Sequence, residues 1–162
     1  MMSGNLRYGV FFVLVAIGFV VISCKKKSTT QQTANNAVLN LAANTHFTVQ
    51  VYLTGHTNLL SANGSDTISN AGIRGLLIYR ASLSGDDQFY VYERACTYDG
   101  TSNTKAMVFG ANQTFTCKDN VCGSTFTMSD GSGQPAHGPA TYALKQYKWS
   151  LDGTGNVLTV TN

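Results

Sequence analysis

Residues 113–128 read QTFTCKDNVCGSTFTM, two short runs in which Phe and Thr alternate on either side of a cysteine-bounded loop. Alternation of apolar and polar residues places successive side chains on opposite faces of a strand, so Gln113 to Cys117 and Ser124 to Met128 are expected as strands. Lys118 to Val121 is then the connecting loop, with Cys117 and Cys122 at its two ends.

The same period recurs on both sides. Upstream, HFTVQVYL (46–53) sets Phe47, Val49, Val51 and Leu53 on one face. IRGLLIYR (73–80) and QFYVYER (88–94) come next, separated by Ser84-Gly85-Asp86-Asp87, whose composition is that of a hairpin turn. Lys105 to Phe109, Ala140 to Leu151 and Asn156 to Thr161 supply further strands, with turns at Asp130 to Gly133 and Asp152 to Gly155. The chain has 162 residues and only 12% are charged, while Gly, Ser, Thr and Asn are abundant. That balance favours strands and turns over long solvated helices. The expected architecture is a single all-β domain, a small antiparallel β-sandwich or barrel.

The first 40 residues differ in character. Arg7 precedes an unbroken apolar stretch, Val10 to Ile22, followed by the small residue Ser23. Thirteen apolar residues are fewer than the ~20 needed to span a bilayer, so an export signal is a better reading than a permanent membrane helix. Val21-Ile22-Ser23-Cys24 resembles the lipobox of bacterial lipoproteins, in which the cysteine is acylated and becomes the first residue after cleavage. The expected organisation is a signal peptide over 1–23, a lipid-anchored tether over 24–40 and the β domain over 41–162. Acyl chains on Cys24 beside Lys25, Lys26 and Lys27 would hold the protein to an anionic membrane surface of the bacterial envelope, facing the periplasm or the exterior.

Charge excludes one class of partner. Of the eleven Lys and Arg residues, Arg7 and Lys25 to Lys27 belong to the leader and tether, which leaves seven against eight Asp and Glu from Ser28 onward. No basic footprint for nucleic acid survives in the domain. The sequence carries no P-loop, dinucleotide fingerprint or helical histidine pair, and no arrangement suggests a nucleophile with its base. Neither an enzymatic activity nor a small-molecule substrate is indicated.

The region from Glu93 to Tyr147 resembles the Rieske iron–sulfur family. Rieske domains carry C-x-H on one loop, C-x-x-H-G-S-x-F on a second and G-P-A on a third, followed by a strand. The corresponding residues here are Cys96-Thr97-Tyr98, then Asp119-Asn120-Val121-Cys122-Gly123-Ser124-Thr125-Phe126, then Gly138-Pro139-Ala140, with Leu144 and Tyr147 beyond. The match covers about half of the chain, and the strands at 73–94 fit the base of the same fold. The resemblance implies a Rieske-like β domain with a loop-built ligand subdomain.

A Rieske centre holds one iron by two cysteines and the other by two histidines. Carried over by position, Cys96 matches the first cysteine, Tyr98 stands at the first histidine and Cys122 at the second. The remaining cysteine position falls on Asp119 without a gap, or on Cys117 if the loop carries two extra residues, the alignment slightly preferred here. Two function classes are compatible with this pattern. One is a non-catalytic binding or structural module that has lost the standard ligands and holds no cofactor, serving as a subunit of an envelope complex. The alternative is an electron carrier with a [2Fe-2S] cluster on Cys96, Cys117, Cys122 and Tyr98, since a phenolate can ligate iron.

Export to an oxidising compartment also favours a disulfide, either Cys117 with Cys122 or Cys96 with Cys122, each leaving one thiol over. His137, beside the third loop, is the histidine nearest the family's ligand positions, but its Gly/Pro-rich surroundings favour a solvated turn residue. His46 and His56 lie outside the matched motifs, and Asp99-Gly100 and Asp130-Gly131 have turn composition.

Overall fold

The computed structural model describes residues 39–98, 106–117 and 122–162. Ten strands are described: β1 (Thr48–Tyr52), β2 (Ser65–Ile68), β3 (Leu76–Arg80), β4 (Phe89–Glu93), β5 (Met107–Phe109), β6 (Thr114–Cys117), β7 (Thr125–Thr127), β8 (Pro135–His137), β9 (Gln146–Leu151) and β10 (Val157–Thr161). They form a six-stranded sheet in the order β1-β10-β9-β4-β3-β2 and a four-stranded sheet in the order β5-β6-β7-β8. The pairings are antiparallel throughout. The all-β antiparallel architecture expected from the alternation is the one observed. The helical pieces are short, residues 39–44 and the 3-10 turns Leu53–Gly55 and Thr57–Leu60, and no described helix is long and apolar enough to cross a membrane.

The adjacent strands β3 and β4 of the larger sheet explain why there are two cores. In β3 every residue is buried, and in β4 all but Tyr90 are. Leu76, Ile78, Phe89 and Val91 face a core shared with Val51, Leu53, Tyr147, Leu158 and Val160. Leu77, Tyr79 and Tyr92 face the other way, into a core with Met107, Phe115, Phe126, Met128 and Leu144 of the smaller sheet and its loops. A strand covered on both faces reads as a continuous apolar run, as LLIYR and FYVYE do. Each fully buried large apolar side chain contributes about 1.5–3 kcal/mol, so the first core holds the strands of the larger sheet around a common interior and the second holds the smaller sheet against it. Tyr92 packs edge-on against Phe115 at 5.4 Å between ring centroids, joining β4 to β6.

The turns fold as their composition indicates. The Ser84–Asp87 segment closes the β3–β4 hairpin, where Ala81 N–H donates to the Gln88 carbonyl at 2.8 Å. Asp152 Oδ1 accepts the N–H groups of Asn156 and Val157 at 2.9 and 3.0 Å between β9 and β10. Asp130 Oδ1 accepts from Ser132 N–H and Oγ–H between β7 and β8, so Asp130 is a turn residue.

Several boundaries differ from the sequence reading. The strand expected from Ile73 starts at Leu76, because the Ile73 and Arg74 N–H groups turn inward to the Glu93 carboxylate. The strand expected from Ala140 starts at Gln146, because the preceding segment bonds to loops instead: Ala140 N–H to Ser124 Oγ and Leu144 N–H to the Gly133 carbonyl. β2 and β8 have no counterpart in the sequence reading. Their short polar sequences, SDTI and PAH, carry too little alternation to register, and Pro135 is tolerated because β8 is an edge strand. Residues 39–44 also join the domain: Asn162 Nδ2 donates to the carbonyls of Ala42 and Thr45, both at 2.7 Å. Cys24, Lys25, Lys26, Lys27 and the rest of 1–38 lie outside the described residues.

Candidate metal centre

Three loops meet beside the second core. The first leaves β4 at Glu93, whose carboxylate is buried and accepts four hydrogen bonds. Oε1 takes the N–H groups of Arg74 (3.0 Å) and Ala95 (2.9 Å); Oε2 takes Ile73 N–H and Tyr147 O–H, both at 2.8 Å. A carboxylate so satisfied acts as a fixed bracket for the chain on both sides. It sets the path of Ala95, which bridges to Ala106, and so of Cys96 next to it. Burial, the nearby Glu93 charge and the hydrogen bond to Glu93 together push the Tyr147 hydroxyl well above the usual tyrosine range, keeping it a donor.

The second loop joins β6 to β7. Cys117 is the last residue of β6, opposite Met107, and its N–H donates to the Ser124 carbonyl at 3.0 Å. Cys122 follows residues 118–121, which include Asp119 and lie outside the described residues, as do Asp99, Gly100 and Lys105. Gly123 has φ +61°, a left-handed turn that folds the next N–H back. Ser124 N–H thereby donates to Cys122 Sγ at 3.4 Å.

The third loop locks onto the second. Ser124 is fully buried, and its Oγ accepts Ala140 N–H at 3.2 Å. Gly138 has φ +89°, and a Cβ there would stand 2.5 Å from Ser124 Cα and 2.8 Å from the Gly123 carbonyl oxygen. Gly138 therefore permits contact of backbone on backbone that any side chain would block. Thr97 Oγ1 donates to the Tyr142 carbonyl at 2.8 Å and ties the first loop to the third.

The result is a cluster of three thiols. The Sγ atoms of Cys96, Cys117 and Cys122 all lie within 4.8 Å of one another, and Cys96 and Cys122 are 3.9 Å apart. Cys96 and Cys117 are fully buried, whereas Cys122 is partly exposed. Burial works against the Cys122 thiolate, but hydrogen bonds from Ser124 and from the Cys117 and Cys96 thiols outweigh it, and the net effect lowers the Cys122 pKa. Of the two disulfide pairings the sequence leaves open, neither is formed: a bridge requires sulfurs about 2.05 Å apart.

The other candidates take lesser places. Tyr98 packs, half-buried, against the apolar cluster that contains the thiols. His137 lies exposed on the edge strand β8, where it pairs with Thr125. His56 bonds to Asp66 at 2.9 Å, beside β2. Among the described residues, no histidine or carboxylate joins the three thiols. Sequence reasoning named Glu93, Thr97 and Ser124 only as positions within the matched region and assigned them no role. The one legible signal was an acid closing the apolar run FYVYE, where a buried charge requires partners.

No family model matches the chain, and neither does any curated protein. Among solved structures, one that matches is described as a complex of reduced oxygenase and oxidized ferredoxin in carbazole 1,9a-dioxygenase. The two chains are 20% identical over 70% of this chain and 92% of the other, with a TM-score of 0.47. So distant a likeness carries no functional weight.

Proposed function

We propose that this chain is an envelope lipoprotein: a tether acylated at Cys24 displays a Rieske-like β domain that acts as a binding or structural module, not as a standard Rieske electron carrier. The observation supporting this is the donor set. A two-iron cluster separates its two ligand pairs on opposite irons. Here three sulfurs converge within 4.8 Å, without a nitrogen ligand among the described residues. The residues present do not fit the family's cluster. What the loops retain is their mutual packing through Ser124, Gly138 and Thr97, which supports a binding or structural role, here assigned to a subunit of an envelope complex.

The test is direct. The full chain is solubilised and purified under reducing, oxygen-free conditions, and its visible absorbance, iron and acid-labile sulfide are measured. A colourless protein without stoichiometric iron and sulfide is expected. Two irons and two sulfides per chain with a reversible one-electron signal would refute this reading and establish the electron carrier.

A further inference from the structure

The three-thiol pocket has its own chemistry once the two-iron cluster is set aside, and a metal assignment for it rests on that reading of the domain. Thiolates are soft donors and select thiophilic cations. With a metal–sulfur distance of about 2.3 Å, three sulfurs around one ion stand about 4.0 Å apart in a plane and about 3.8 Å apart at three corners of a tetrahedron. The Cys96–Cys122 pair is at 3.9 Å and no pair of the three exceeds 4.8 Å. Small side-chain rotations would bring the sulfurs to the spacing that one ion needs.

The scaffold supports the same conclusion. Each cysteine comes from a different point of the fold: Cys96 just beyond β4, Cys117 at the end of β6, Cys122 before β7. Their backbones are fixed by hydrogen bonds of neighbouring groups, including Ala95 N–H to Glu93 and Cys117 N–H to Ser124. A preorganised site avoids much of the ordering cost of binding. Cys96 and Cys117 are fully buried, so the exposed edge of Cys122 is the side from which an ion would arrive.

We propose that Cys96, Cys117 and Cys122 form a mononuclear three-thiolate site for a single thiophilic d10 cation, of the Cu(I) or Zn(II) class. Three sulfurs complete the coordination of Cu(I). Zn(II) would keep a fourth position for a solvent oxygen on the open side of Cys122.

The full chain, reduced and metal-free, is titrated separately with Cu(I) and Zn(II) against competing chelators. Binding of one equivalent of either ion is expected, with all three cysteines protected from alkylation in peptide mass mapping. X-ray absorption distinguishes the ions, showing three sulfurs around copper or three sulfurs and one oxygen around zinc. Replacing any one of the three (Cys96→Ser, Cys117→Ser or Cys122→Ser) should weaken binding more than about 100-fold, since even the partners that orient a ligand are worth about 10–100-fold. The wild-type protection pattern does not depend on the variants folding. Failure of the reduced chain to bind either ion would overturn this proposal and leave the module reading intact, as would binding that survives loss of one cysteine. Uptake of two irons and two sulfides would overturn both.

Discussion

Replacing Gly138 by alanine isolates the contact that joins the third loop to the second. At φ +89° an L-residue carries about 1–2 kcal/mol of backbone strain. The new Cβ would also lie 2.5 Å from Ser124 Cα and 2.7 Å from Ser124 N, both backbone atoms that cannot rotate away. Ser124 must therefore shift, and with it go the bonds from Ala140 N–H to its Oγ and from Cys117 N–H to its carbonyl. Two such bonds are worth about 1 kcal/mol each. The total is about 3–4 kcal/mol, which for a domain of this size lowers Tm by roughly 10–20 °C. Two controls separate the terms. Gly85 has φ +92° but open space around its Cβ position, so Gly85→Ala tests strain alone at about 1–2 kcal/mol. Gly55 has open space and no positive φ, so Gly55→Ala should leave Tm unchanged or slightly raised. Thermal unfolding followed by circular dichroism checks all three. A Gly138→Ala protein that loses no more stability than Gly85→Ala would refute the close approach of the loops.

Glu93→Gln sets an amide N–H₂ against two of the four donors that now meet carboxylate oxygen, and should cost about 3–5 kcal/mol in denaturant unfolding. Tyr147→Phe removes one of these bonds and should cost about 1–2 kcal/mol, whereas Tyr92→Phe should be neutral or stabilising, because Tyr92 Oη is buried with no hydrogen-bond partner among the described residues. Equal losses in the two tyrosine variants would contradict the assigned bonding. Burial, first of all, raises the pKa of Tyr79, Tyr92 and Tyr147, so the fold favours their neutral forms; this stability is fully present below pH about 10 and is lost as pH rises beyond it. Ionisation of these three should then come late and together with unfolding, and their titration in the usual tyrosine range in a still-folded chain would count against it. Cys24→Ser should release the protein from membranes while the domain keeps its melting transition; a variant that stays with the membrane after an alkaline wash would show that lipid on Cys24 is not the anchor.

How much of the fold is readable in the sequence depends on how local the determining physics is. Alternation and continuous apolar runs are both properties of adjacent residues, so β1, β6, β7 and β10 lie within alternating stretches and β3 and β4 within apolar ones. The Asp and Gly turns are equally local, since Asp152 and Asp130 bond to groups within five residues. What escapes are elements defined by distant partners. β3 starts at Leu76 rather than Ile73 because a carboxylate 20 residues away takes the Ile73 N–H, and no window around Ile73 contains that information. Gly138 is legible as the glycine of a family motif, but the reason for it, the backbone of Ser124 and Gly123, belongs to another loop.

The thiols show the same limit from the other side. Spacing alone leaves two disulfide pairings open and does not decide whether Asp119 or Cys117 shares the pocket. The fold brings Cys117 there, because pairing β6 with β5 and β7 carries the end of β6 to the place where the first and third loops meet. Convergence of three sulfurs is thus a consequence of sheet register. A one-residue slip of β6 would turn Cys117 from the core to the opposite face. Phe115, fully buried two residues earlier on the same face, opposes such a slip, since it would have to leave the apolar cluster and its contact with Tyr92. The packing that stabilises the domain therefore also sets the geometry of the pocket. Truncating Phe115 should consequently disturb metal binding as well as stability, although Phe115 bears no ligand atom.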